Sequence, residues 1–116
     1  MFEFAADVDP PYYAVIFTSL RRREESDAYE QMAARMLGLA AKQPGYLGVE
    51  SVRDPSRLGI TVSYWKDLAS IKAWKAHADH LVAQELGRSR WYEAFRVRIC
   101  RVESERSMSA IAPTEP

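Results

Sequence analysis

The chain's two histidines, three tryptophans and single cysteine are its residues best suited to chemistry. His77 and His80 stand three positions apart, near one face of a helix. A two-histidine metal site needs a further ligand, and Asp79 belongs to another face of the same helix, so the pair does not make a metal centre. An imidazole titrates near neutrality, which makes His80 the cheapest proton acceptor in the chain. A solvated or capping role is the plainer account of either histidine. Trp65 closes a strand-like stretch whose same face carries Thr61 and Ser63. Small polar residues beside an indole leave space and direct hydrogen bonds, which suits a pocket for a flat aromatic molecule. Core filling is the other account of Trp65, and the better one for Trp74. Trp91 and Tyr92 add a third aromatic group near the same connection. Cys100, alone, makes no internal disulfide, and its apolar strand suits a small buried side chain. No nucleophile elbow, phosphate-binding loop, dinucleotide fingerprint or HExxH helix is present.

These residues need elements to hold them. Residues 1–11 form a lead-in ending at Pro10-Pro11. Tyr12 to Ser19 is rich in aromatic and β-branched residues and reads as a strand. A helix is predicted over 27–42, with Asp27 and Glu30 as a capping pair and apolar residues at Tyr29, Met32, Ala33, Met36, Leu37 and Ala40. Pro44-Gly45 ends it. Strands follow over 46–53 and 59–66, joined by Asp54-Pro55-Ser56-Arg57, a segment of turn chemistry. Asp67 caps a second helix that runs to about Gly87, with a kink expected at His77–His80. The last strand spans roughly 91–103, and residues 104–116 are a polar, flexible tail. The order β-α-β-β-α-β with right-handed crossovers gives an α+β, ferredoxin-like sheet with the first and third strands central.

Length and composition bound the function. The 116 residues make one domain, and 47% are hydrophobic, enough for a core without metal or disulfide. Sixteen basic and sixteen acidic residues cancel, so there is no field to draw nucleic acid or an acidic membrane. Arg21-Arg22-Arg23 is followed at once by Glu24-Glu25 and reads as a solvated loop. No signal peptide or membrane span is apparent, which places the expected compartment in the cytoplasm. Tyr13-Ala14-Val15-Ile16-Phe17 has no polar alternation, so both faces of the sheet need a cover. Helices cover one, and a second copy packed through the sheet face is expected to cover the other. Arg96 and Arg98 share a strand face opposite Phe95, Val97 and Ile99. Glu50, Glu93 or Glu103, across the sheet or the dimer, is expected to answer them, with an anionic substrate as the alternative.

With these elements placed, the chain resembles the antibiotic-biosynthesis monooxygenase family. The likeness covers residues 12–103 and rests on Tyr13-Ala14-Val15-Ile16-Phe17-Thr18-Ser19, Gln43-Pro44-Gly45-Tyr46-Leu47-Gly48 and Ile60-Thr61-Val62-Ser63-Tyr64-Trp65, then Trp74-Lys75, His80, Ala83-Gln84, Gly87-Arg88 and Trp91-Tyr92. The resemblance implies a homodimer whose sheets close an α+β barrel, with a pocket in each subunit between sheet and helices. Some members of that family oxidise electron-rich phenols or anthrones with molecular oxygen and no cofactor, and related members bind and cleave haem. The family's pocket tryptophan at the end of the third strand matches Trp65. Haem-cleaving relatives place an iron-binding histidine where this chain has Gln84, with His80 one turn earlier. Their strand-one asparagine has no match, because Phe17 or a neighbour stands there.

The expected function is therefore a cofactor-independent monooxygenase acting on a small aromatic or polyketide-like molecule. Trp65 would stack on the substrate, and His80 would move a proton or steady the substrate anion. Tyr92 and Gln84 would donate hydrogen bonds, and Phe17, Thr61, Ser63, Trp74 and Trp91 would complete the pocket. Haem binding and degradation is one alternative. A non-catalytic dimer that binds a small molecule is the other.

Overall fold

In the computed structural model, residues 2–23, 27–84 and 92–111 are described, with the side chains of 27, 28 and 80–84 left aside. The elements run β1 (Tyr12–Arg21), α1 (Asp27–Ala41), β2 (Tyr46–Arg53), β3 (Leu58–Trp65), α2 (Leu68–Gln84) and β4 (Tyr92–Val102). Among these residues they form one antiparallel sheet in the order β2-β3-β1-β4, the ferredoxin-like arrangement with β1 and β3 central. The expected barrel does not form. β2 and β4 are opposite edges of an open sheet, and four twisted strands are too few to close on themselves.

Local chemistry explains the boundaries. Asp67 Oδ1 accepts from Ser70 N at 2.8 Å and from Ser70 Oγ at 2.7 Å, capping α2. α2 runs as one helix through His77–His80 and is not divided in two there. Trp74 and Ala78 are four apart, a helical step, so the inward stripe from Ile71 to Ala78 continues unbroken. At α1 the expected Asp27–Glu30 capping pair lies in part outside the described residues, and one Glu30 carboxylate oxygen meets Arg21 Nη1 at 3.0 Å. In the β2–β3 turn, Asp54 Oδ1 accepts from Ser56 N at 2.9 Å and Leu58 N at 3.2 Å, as its side chain chemistry predicts. Gly45 follows α1 at φ +85°, and a Cβ there would run into the Ser70 side chain.

Strand alternation assigns the faces. Tyr13, Val15, Phe17 and Arg21 of β1 share the helix face with Ser63 and Trp65 of β3 and Phe95, Val97 and Ile99 of β4. Ala40 of α1, Trp65 and Ile71 of α2 form the core there, with Tyr13, Val15, Tyr46 and Trp74 packed around them. The outer face carries Tyr12, Ala14, Ile16 and Thr18, flanked by Ile60, Val62 and Tyr64 on one side and Arg96, Arg98 and Cys100 on the other.

Part of this outer face is covered from within the chain. Ala6 N donates to Leu47 O at 3.0 Å, and Ala5 N donates to Glu50 Oε2 at 3.2 Å. Gly48, at φ +135°, permits this crossing, because a Cβ there would sit 2.9 Å from Ala5 Cβ. Tyr12 Oη reaches forward to Glu105 at 2.5 Å, and its ring meets Tyr64 edge-on at 5.9 Å. Cys100 is half-buried on this face.

Candidate functional site

On the helix face, the sheet is unevenly covered. On that face α1 packs against β2 and α2 against β3. Phe95, Val97 and Ile99 of β4 point to the same side, yet remain 40%, 46% and 51% exposed. Beside them on β1 run Val15 and Phe17, which pair in register with Ile99 and Val97. The result is an apolar strip along β4 and β1, open on its helix side. Strips of this kind accept flat apolar molecules, provided that polar groups at one end fix orientation.

Such groups converge at the C-terminal end of β1. Phe17 meets Tyr92 edge-on at 5.3 Å and Phe95 at 5.6 Å. The Tyr92 and Tyr29 hydroxyls lie 3.2 Å apart, and their rings meet edge-on at 5.7 Å. Arg53 Nη2 donates to Tyr29 Oη at 3.1 Å. The Arg21 guanidinium lies 3.7 Å from the Tyr29 ring centroid, a cation–π contact. Burial pushes the Tyr92 phenol well above the ordinary tyrosine range, helped by its bond to Tyr29 and opposed by Arg53 and Arg21. At neutral pH Tyr92 is therefore a hydrogen-bond donor and not a base.

The residues singled out from sequence divide between this region and the core. Phe17 and Tyr92 are brought together at the strip's polar end. Trp65 is fully enclosed: its ring is stacked with Trp74 at 6.2 Å, meets Tyr46 edge-on at 5.5 Å and presents no open face. Its indole N–H donates to Ser63 Oγ at 2.9 Å, and Thr61 bonds Ser51 at 2.7 Å across β2–β3. The small hydroxyls near Trp65 thus satisfy neighbours. The backbones of His80 and Gln84 belong to α2, but their side chains, like the whole of Trp91, lie outside the described residues. His77 is exposed.

Arg96 and Arg98 find none of the expected carboxylates within the chain. Glu50 accepts from Tyr64 Oη at 2.8 Å, Glu93 pairs with Arg57 at 3.2 Å, and Glu103 pairs with Arg101 at 3.4 Å. Sequence reasoning passed over Tyr29, Arg21, Arg53 and Phe95 as site residues. Period-two alternation from Phe17 does put Arg21 on the helix face. Only the β2–β3 register and the docking of α1 then bring Arg53 and Tyr29 to it. Among the described residues no three His, Cys, Asp or Glu side chains group as metal ligands. No described helix is long and apolar enough to cross a membrane.

Comparison with known proteins places this arrangement. The profile of the antibiotic biosynthesis monooxygenase family matches residues 11–86. The chain is 51% identical over 98 residues to the uncharacterized protein YqjZ of Bacillus subtilis, spanning 84% of this chain and 85% of that protein. It is 29% identical over 92 residues to the jasmonate monooxygenase ABM of Pyricularia oryzae, spanning 78% of this chain but only 43% of that protein. Among solved structures, SnoaB, a cofactor-independent oxygenase from Streptomyces nogalater, superposes with a TM-score of 0.65 at 14% identity, covering 86% of this chain and 98% of that one. PA3566 from Pseudomonas aeruginosa superposes with a TM-score of 0.66 at 14% identity, covering 84% and 99%. At such identity the structural likeness speaks for the fold.

Proposed function

The chain belongs to the antibiotic biosynthesis monooxygenase family, and we propose that it is a cofactor-independent oxygenase acting on a small aromatic or polyketide-like molecule. The observation that carries this reading is the apolar strip of Phe95, Val97 and Ile99, open on its helix side and ending at the Tyr29–Tyr92 hydroxyl pair. A flat, acidic C–H or phenolic substrate lies along the strip with its oxygen toward the phenols. Removing a proton makes the substrate an electron donor to molecular oxygen. Carbon–oxygen bond formation then gives a peroxide, and loss of water leaves the substrate with a new carbonyl. The protein's tasks are binding, accepting the first proton and steadying the anion.

Tyr92, held protonated by its surroundings, donates a hydrogen bond to the substrate oxygen as negative charge develops. His80, on α2, is the proposed proton acceptor, because an imidazole is the only side chain whose ordinary pKa lies near neutrality. Relatives bearing oxygenase names, SnoaB and the Pyricularia jasmonate monooxygenase, support the reaction class. The acting species is proposed to be a homodimer joined through the outer sheet face. There Leu58 and Ile60 are both 44% exposed, and no described carboxylate within the chain pairs with Arg96 or Arg98.

The test is oxygen uptake with anthrone and phenolic substrates, comparing the parent protein with His80→Ala. Turnover should fall in the variant while its melting temperature and oligomeric state hold. Equal turnover removes His80 from the mechanism, and a parent protein that consumes no oxygen with any such substrate removes the oxygenase reading.

A further inference from the structure

We infer that the cleft at the turn end of the β2–β3 hairpin, adjoining the polar end of the apolar strip through Arg21 and Arg53, binds a small, multiply charged phosphate-type anion. The cleft has a volume of about 490 Å³ and, among the described residues, is lined by Arg21, Arg22, Arg23, Arg53 and Arg57, with Asp54 as the one acidic side chain. These arginines come from three separate places: the end of β1, the end of β2 and the turn between β2 and β3. In sequence only the first three are neighbours, and they read as a solvated run.

The fixed guanidiniums make this a built site. Arg21 is stacked on Tyr29 at 3.7 Å and bonded to Glu30 at 3.0 Å. Arg53 donates to Tyr29 Oη at 3.1 Å and to Arg57 O at 3.0 Å. Arg57 donates to Arg21 O at 2.6 Å and pairs with Glu93 at 3.2 Å. Each group keeps N–H donors beyond those engaged here, because a guanidinium carries a fork of them in a fixed plane. Asp54, the carboxylate at the rim, is turned to its own turn: Ser56 N, Ser56 Oγ and Leu58 N all donate to it. Those bonds hold its carboxyl below the usual carboxylate range.

Arg57 itself sits at φ +78°, a backbone conformation in which glycine is at ease and arginine is strained. The turn therefore keeps a guanidinium at a position where glycine fits the backbone better.

The directions of approach select the ligand. A carboxylate is planar and is satisfied by a single guanidinium fork. Forks arriving from three chain segments suit a tetrahedral group that offers oxygens in several directions, as a phosphate does. The roomy, open cleft leaves space for a diphosphate or a phosphate ester.

The probe is inorganic pyrophosphate, titrated calorimetrically into the intact protein at low ionic strength, with citrate as a control of comparable charge. One saturable site per chain is expected, weakening steeply with added salt. Arg53→Met and Arg57→Gly should each weaken pyrophosphate binding at least tenfold. Arg57→Gly also relieves the strained φ, so its thermal melt should show a folded protein, and it decides the matter if Arg53→Met does not fold. No saturable binding, equal binding by the folded variants, or citrate binding as tightly as pyrophosphate would each overturn the inference. The readout is binding and not turnover, so failure of this inference is distinguishable from failure of the oxygenase reading.

Discussion

Trp65 and Trp74 stack with ring centroids 6.2 Å apart and planes 20° from parallel, and the buried edge of Trp65 is fixed by its indole N–H bond to Ser63. This pair joins the third strand to the second helix through the most enclosed side chain described. Trp65→Ala is expected to destabilise the fold by about 3–5 kcal/mol. That is a large share of the roughly 5–15 kcal/mol available to a typical domain. Ser63→Ala keeps the packing but strands a buried donor, and should cost about 1–3 kcal/mol. Urea unfolding followed by tryptophan fluorescence measures both. A Trp65→Ala protein as stable as the parent would show that the indole is not central to the core.

The tyrosines predict an alkaline limit to stability. The bond to Glu105, then burial, pushes Tyr12 up to about 12, and burial, then the bond to Glu50, pushes Tyr64 up to about 12. Burial raises Tyr46 and Tyr92 as well. A phenol whose folded pKa is raised favours the folded state while it stays protonated. That contribution is complete below the unfolded value of about 10 and is lost as pH rises through the folded values. Ultraviolet difference titration should therefore show delayed phenolate formation in the folded protein, with alkaline unfolding between about pH 10 and pH 12. Tyrosines that all ionise together near the ordinary value, with the fold intact, would contradict these environments.

Tyr92→Phe separates chemistry from packing. The ring contacts to Phe17, Tyr29 and Phe95 survive the change, so stability should fall by only about 0.5–1.5 kcal/mol for the lost hydroxyl pair. If Tyr92 steadies the substrate anion, turnover should fall by about tenfold or more. Steady-state oxygen uptake with a phenolic substrate reads this directly, and a kcat within twofold of the parent would remove Tyr92 from the site.

For the proposed dimer, Ile60 is the place to intervene. It is 44% exposed on a central strand of the outer face and lies beside Thr18 in register. Ile60→Glu buries a charge in any interface formed there and should yield monomers by sedimentation velocity, with the circular dichroism spectrum unchanged. A parent protein that is already monomeric at working concentrations would end the proposal.

Strand alternation made much of this architecture readable in advance. It put Thr61, Ser63 and Trp65 on one face and split Arg96 and Arg98 from Phe95, Val97 and Ile99, because the side-chain period of a strand is a local property. What the hydroxyls of Thr61 and Ser63 do was not readable. Thr61 meets Ser51 only through the β2–β3 register, which shifts near Gly48. The meeting of Arg21, Tyr29 and Arg53 depends likewise on tertiary placement: a strand end, a helix and a second strand end that no short-range pattern links. The expected closure into a barrel came from the family resemblance and not from a pattern in the strands, and the sheet is open. The packed lead-in shows that part of the outer face finds its cover within the chain.

Glu50 has a wider consequence. One carboxylate receives the Ala5 amide at 3.2 Å and the Tyr64 hydroxyl at 2.8 Å, while Ala6 beside it is only 4% exposed. The first residues are thus a working part of the sheet. An expression boundary drawn at the first strand would discard them, leaving a charged acceptor short of one donor beside newly wetted aromatic surface. A shortened protein could then aggregate or pair differently from its parent. Fusion tags belong at the opposite terminus, and comparisons between preparations should keep the first eleven residues intact.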